Sequence, residues 1–210
     1  MIIGIPVYDG VDLLDVTGPH EIFKWMDRPS LPAEVLLIAQ SAGNITSRDG
    51  FTFIAPVCFD AAPQLDILWV PGGDPPALAR LMSGPDRAYL DFLIGQSSNA
   101  RYVCSVCEGA MLLAAAGLLD GYLATTHWAF IPCLKQFPAI KVVEGHPRFV
   151  VDRNRLTGGG ISSGLDEALK LVELLGGTAI AQDVQQTTQY YPAPPVASVI
   201  PPAVECPFTW

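Results

Sequence analysis

The run Arg101–Leu119, RYVCSVCEGAMLLAAAGLL, constrains this chain more than any other stretch. Its apolar residues stop at Val106, Cys107-Glu108-Gly109 interrupt them, and an Ala/Leu-rich segment of helical character follows at once. That order spells a buried strand, an abrupt turn and a helix. A residue on such a turn stands at the top of a sheet, beside the free N–H groups of the helix's first turn. A thiol placed there meets a partial positive charge that favours its ionised form. Cys107 is therefore the candidate nucleophile, and a thiolate-rich sulfur is expected. The competing account is a core cysteine, since cysteine is among the most buried residue types. Cys104, inside the strand, fits that account; Cys107 lies where the apolar run breaks, next to a charge and a glycine.

Cys104 and Cys107 also form a CxxC, a spacing used by dithiol redox proteins. Extended structure opposes that use. Three residues at about 3.3 Å each place the two Cα atoms roughly 10 Å apart, whereas a disulfide needs them within about 7 Å.

Elsewhere the chain alternates apolar runs with helical segments. Strands are expected at Ile2–Tyr8, Ala33–Gln40, Phe51–Phe59 and Leu65–Val70, with short ones at Gly121–Thr125, Lys141–Glu144 and Phe149–Asp152. Helices are expected at Pro75–Met82, Pro85–Ile94, from Thr126 to about Phe137, at Ser162–Leu175 and at Ala179–Gln189. Another begins at Thr17, which suits an N-cap with Pro19 in the first turn and Glu21 near the positive end of the dipole. Half of the 210 residues are hydrophobic and 16% are charged, which fits one α/β domain whose sheet is covered on both faces. The tail Tyr190–Trp210 is rich in proline and is expected to run extended along a surface or a partner subunit.

A formal net charge of −9 argues against nucleic acid as a partner, because phosphate binding needs clustered Lys and Arg. The longest apolar run, Ala110–Leu119, is far short of the roughly 20 residues that span a bilayer. No secretory signal is visible, and five cysteines, an odd number, suit a reducing cytoplasm better than a disulfide framework. The three histidines share no close spacing with one another or with a cysteine, so spacing supports no metal site. Pro71-Gly72-Gly73 lacks both dinucleotide and phosphate-loop fingerprints.

Three further features carry potential chemistry. Asp15, among Leu13, Leu14 and Val16, would be protonated near neutral pH if those residues pack around it; otherwise it only supports the turn before the helix. Gly72 and Gly73 follow a strand, where N–H groups can face a ligand, though a tight turn accounts for them equally. His127 is either a base for the thiol or a helix cap.

Four segments occur in the order seen in the ThiJ/PfpI superfamily: Leu13-Leu14-Asp15-Val16-Thr17-Gly18-Pro19, Val70-Pro71-Gly72-Gly73, Ser105-Val106-Cys107-Glu108-Gly109 and Ala124-Thr125-Thr126-His127-Trp128. The chain resembles that superfamily over residues 1–195, leaving 196–210 as a Pro-rich C-terminal tail. Leu156-Thr157-Gly158-Gly159-Gly160-Ile161 and Gln189-Tyr190-Tyr191-Pro192-Ala193-Pro194-Pro195 resemble its isocyanide (isonitrile) hydratase branch. The resemblance implies a class I glutamine amidotransferase-like fold, with a flavodoxin-like parallel sheet sandwiched by helices and a cysteine nucleophile elbow. It implies that Cys107 attacks the terminal carbon of an isocyanide, that Asp15 manages proton transfers, and that water releases an N-substituted formamide. N–H groups near Gly72-Gly73 and Cys107-Glu108 would hold developing charge, and His127, Trp128 and Ile161 would line an apolar substrate pocket. No cofactor is implied, and a homodimer is.

Two departures stand out. Related hydratases carry threonine after the cysteine, whereas this chain has Glu108, a second carboxylate that opposes thiol ionisation or shares the acid–base work. Peptidase-like members carry histidine there, so protease activity is not expected; nor is a regulator's role, since no helix-turn-helix region follows. The same thiol and carboxyl pair suits two other functions, a glyoxalase or deglycase acting on reactive carbonyls and a non-enzymatic redox sensor oxidised at Cys107.

Overall fold

A computed structural model describes residues 1–210. In chain order the elements are β1 (Ile2–Pro6), α1 (Leu13–Met26), β2 (Glu34–Ala39), β3 (Gly43–Thr46), β4 (Thr52–Ala55), β5 (Val57–Cys58), β6 (Ile67–Val70), α2 (Pro75–Ser83), α3 (Ala88–Ser97), β7 (Tyr102–Ser105) and α4 (Gly109–Ala115). There follow β8 (Leu123–Ala124), α5 (Ile131–Leu134), β9 (Lys141–Val142), β10 (Phe149–Asp152), β11 (Arg155–Gly158), α6 (Ser163–Gly176) and α7 (Thr178–Thr187). Seven strands form one sheet in the order β10-β11-β7-β6-β1-β2-β5. All pairs are parallel except the β10–β11 hairpin. Strands β2-β1-β6-β7-β11 reproduce the flavodoxin-like 2-1-3-4-5 order. No helix is long and apolar enough to cross a membrane.

The central strands explain why the sheet lies inside. Every residue of β6 (Ile67-Leu68-Trp69-Val70) and of β11 is buried, as strands covered on both faces must be. Their carboxyl ends, with those of β1 and β7, converge on one edge. The order in which strands are added reverses between β1 and β6, and open α/β sheets bind ligands at such a switch point.

Helix α1 starts five residues earlier than the Thr17 cap predicts. Asp12 is the cap, its Oδ1 accepting the Leu14 N–H at 3.2 Å, while Thr17 lies within the helix with its hydroxyl bonded to the Leu13 carbonyl. Pro19 therefore falls inside the helix, where it has no N–H to give to the carbonyl of Asp15. The indole N–H of buried Trp69 donates to that carbonyl at 3.2 Å and restores the lost bond. Proline is tolerated here because tertiary structure supplies the donor.

The cysteines also depart from expectation. Cys133 on α5 and Cys206 in the tail form a disulfide, leaving Cys58, Cys104 and Cys107 free. A spacing of 73 residues gives no local signal for this pairing. The fold creates it by laying the extended tail across α5.

Candidate active site

Strand β7 delivers Cys107 to the carboxyl edge, and the chain turns there with φ +55° at the cysteine. A non-glycine residue in the left-handed region carries backbone strain, and such strain gathers at functional positions. Cys107 N–H donates to the Gly159 carbonyl at 2.9 Å, and Thr126 Oγ1 donates to the Cys107 carbonyl at 2.8 Å. The loops after β8 and β11 thus hold the turn from both sides.

The first turn of α1 brings Asp15 to the same place, fully buried. Gly72 N–H donates to Asp15 Oδ2 at 2.9 Å, while Oδ1 has no protein hydrogen-bond partner. Burial raises the Asp15 pKa well above the ordinary carboxyl range, and Asp12 and Glu108 add to the rise. Glu108, also buried, is pushed up to about 7 by desolvation, while its interaction with the thiol pulls the other way. The sulfur of Cys107 thus meets two carboxyl groups at once.

The expected thiolate does not form in this setting. Burial raises the Cys107 pKa well above that of a free thiol, and the charges of Asp15 and Glu108 raise it further. The N–H of Ile161 opposes the rise. Helix α4 has only seven residues, and at a residue 1% exposed desolvation dominates. Burial thus favours the neutral thiol at Cys107, beside the raised carboxyl groups of Asp15 and Glu108.

The loops take different parts. At Gly72 an added Cβ would lie 2.5 Å from Glu108 Oε2 and 2.8 Å from Cys107 Cβ, so only glycine lets this loop close over the nucleophile. Gly73 instead packs toward Gly10 and the Tyr8 hydroxyl, away from the sulfur. The N–H groups of Gly72 and Cys107 are committed to Asp15 and to the Gly159 carbonyl, which leaves those of Gly73 and Glu108 for the expected role of facing a developing anion. Ile161 holds φ +39°, which is costly for a β-branched residue, and its N–H faces the thiol.

His127 takes the expected part of a cap. Its Nδ1 accepts the Ala129 N–H at 3.2 Å and caps a short 3-10 turn, and Gly160 packs directly on the ring's other edge. Ligand atoms of Cys107, Glu108 and His127 also lie within 4.8 Å of one another, a grouping invisible to sequence spacing. Their chemistry does not suit a metal. Burial keeps the imidazole neutral, and with Nδ1 serving as acceptor the single proton sits on Nε2. Binding a cation through either nitrogen would break the cap.

A cleft of about 300 Å³ opens beside this group, with Thr126, His127, Trp128, Gly160, Ile161 and Ile200 among its walls. Trp128, Ile161 and Ile200 are its apolar faces; histidine, arginine and serine make the rest more polar than expected. Cys107, 1% exposed, is not itself among the residues that line the cleft. Sequence reasoning missed Thr126, Trp69 and Ile200, none of which has a local pattern that marks it. It also missed Tyr8, at the carboxyl end of β1, where the switch-point rule applies.

The model for the DJ-1/PfpI family matches residues 1–174. This chain belongs to that family. An isonitrile hydratase of Pseudomonas putida is 42% identical over 200 residues, covering 95% of this chain and 82% of that protein. The crystal structure of a ThiJ/PfpI family protein from Pseudomonas syringae, 36% identical, superimposes with a TM-score of 0.84 over 93% of this chain and 77% of its own. A deglycase of Pyrococcus abyssi is 29% identical over 96 residues, 45% of this chain and 55% of that protein. Within the DJ-1/PfpI family, the residue after the strained cysteine is the acid Glu108 here, and it shares the buried site with Asp15.

Proposed function

We propose that this protein hydrates isocyanides to N-substituted formamides through a Cys107 thioimidate. The observation that carries the proposal is a strained, neutral thiol set between two carboxyl groups of raised proton affinity. Similarity to the isonitrile hydratase supports the substrate class.

The chemistry balances as follows. Ionised Glu108 takes the thiol proton, sulfur bonds to the terminal carbon, and protonated Asp15 gives its proton to that carbon. The product is Cys107–S–CH=N–R. Water then adds to the carbon, losing one proton to Asp15, while Glu108 returns its proton to nitrogen. Collapse forms the formyl C=O, breaks the C–S bond and passes the hydroxyl proton by way of Glu108 to sulfur. N-substituted formamide leaves, with Cys107, Asp15 and Glu108 in their starting states. Proton transfers of this kind contribute roughly 10²–10⁴-fold each.

Incubation with a simple alkyl isocyanide, followed by detection of the formamide, tests the proposal. Cys107→Ala should abolish the product, and retained activity in that variant sinks the mechanism. A second reading, action on reactive carbonyls, is favoured by similarity to the deglycase; lactate from methylglyoxal would support it. A peroxide sensor is less well served, because oxidation follows thiolate character and exposure and Cys107 has little of either. The family likeness also carries a homodimer, which light scattering tests.

A further inference from the structure

From Pro192 to Trp210 the chain has no helix or strand and makes neither a hydrogen bond nor an ion pair with the body of the protein. It touches the body at few points. Ile200 stands in the wall of the cleft beside Cys107, a wall it shares with His127 and Trp128. Phe208 lies 5.5 Å from Phe130, and Trp210 stacks on Phe137 at 5.8 Å and 2°. Cys206 is bonded to Cys133. Between these points an open hollow of about 670 Å³ is lined by Pro132, Gln136 and Phe137 of the body and by Val204, Phe208 and Trp210 of the tail. The strap is thus loosely packed and held by one covalent bond.

We propose that the tail is a disulfide-latched cover of the reaction pocket: Ile200 limits the bulk of the substrate's N-substituent, and reduction of Cys133–Cys206 opens the pocket. This deepens the hydratase proposal and rests on the cleft beside Cys107 being the reaction chamber. Pro192, Pro194, Pro195, Pro201, Pro202 and Pro207 stiffen the strap, so fixing Cys206 also fixes Ile200 six residues earlier. Cys133 is fully buried and Cys206 partly exposed, so a dithiol reductant reaches the Cys206 sulfur first. Its thiolate bonds to Cys206, the Cys206–Cys133 bond breaks, and Cys133 leaves with the electron pair and takes a proton. The second thiol of the reductant then displaces Cys206. Two protein thiols and one oxidised dithiol result, with two electrons transferred.

The test reads pocket access without requiring turnover. Air-oxidised protein, dithiothreitol-reduced protein with the reductant removed, and oxidised Cys206→Ser protein are treated with iodoacetamide or with its bulky N-benzyl analogue. Peptide mass spectrometry then follows the adduct at Cys107 alone. A severalfold faster bulky adduct is expected in the reduced and Cys206→Ser forms, with a smaller change for iodoacetamide. Equal bulky-adduct rates in the oxidised and reduced wild-type proteins, or five free thiols in the oxidised protein, would overturn the latch. Ile200→Ala should raise kcat/KM for cyclohexyl relative to methyl isocyanide severalfold, and an unchanged ratio removes Ile200 as the size filter. If neither isocyanide is hydrated while labelling still follows the redox state, the hydratase proposal fails and the latch stands.

Discussion

Gly72 N–H donates to Asp15 Oδ2 at 2.9 Å, tying the first turn of α1 to the loop after β6 directly over the nucleophile. One carboxyl oxygen is thereby fixed, and the acid faces a defined direction. The other oxygen, Oδ1, has no protein partner and is the natural place for the proton that burial retains.

Asp15→Asn preserves this geometry, since an amide oxygen accepts the Gly72 N–H equally well, but it has no proton to transfer. Formamide production should fall by about 10²–10⁴-fold, the usual worth of a general acid or base. The melting temperature should change little, because a neutral acid is replaced by a neutral isostere. Steady-state rates beside thermal melts check both halves.

Glu108 should set the pH dependence. In the proposed mechanism its carboxylate takes the thiol proton, so activity should rise along an acid limb with an apparent pKa of about 7. Glu108→Gln should abolish that limb along with most of the rate.

Stability follows the same group in the opposite sense. The folded pKa lies above the ordinary glutamate value, so between about 4.5 and 7 the folded state binds more protons than the unfolded state. The contribution of Glu108 is therefore fully present below pH 4.5 and is lost as pH rises through 7. Glu108→Gln should match the wild type near pH 4.5 and be more stable near pH 8, by up to a few kcal/mol. Denaturant midpoints at the two pH values decide it, and an equal difference at both would refute it.

Gly72→Ala should be damaging out of proportion to one methyl group. The new Cβ would press on Glu108 Oε2, on the Glu108 amide at 2.7 Å and on Cys107 Cβ. Overpacking of this kind costs about 1–3 kcal/mol, and here it also displaces the nucleophile. Gly73→Ala presses on the Gly10 carbonyl and Tyr8 instead. It should destabilise comparably and spare more of the catalytic rate, which a paired comparison of melts and rates will show.

Reducing Cys133–Cys206 should lower global stability as well as free the tail. A cross-link closing 73 residues contributes about 4 kcal/mol in the chain-entropy model. Urea unfolding with and without reductant measures the loss, and identical midpoints would count against a disulfide in solution.

Particular residues show how far the amino-acid order could be read. The strand–turn–helix around Cys107 was legible because every signal in it is local: an apolar run, its interruption, and a helix-forming segment. The start of α1 was misjudged because Asp12 and Thr17 both suit a cap, and the donor that excuses Pro19, the Trp69 indole, lies fifty residues on. Ile161 entered only through family resemblance, since nothing in its own segment marks it.

The chain's order alone made legible the buried parallel sheet and the strand–turn–helix around residue 107, because hydrophobic periodicity and turn propensity act over a few neighbours. Only the tertiary structure decided which acids meet the thiol, that the thiol rests protonated, and that Cys206 closes on Cys133. The reason is physical: proton affinity depends on desolvation and on charges brought together from distant segments, and those distances exist only once the sheet has assembled.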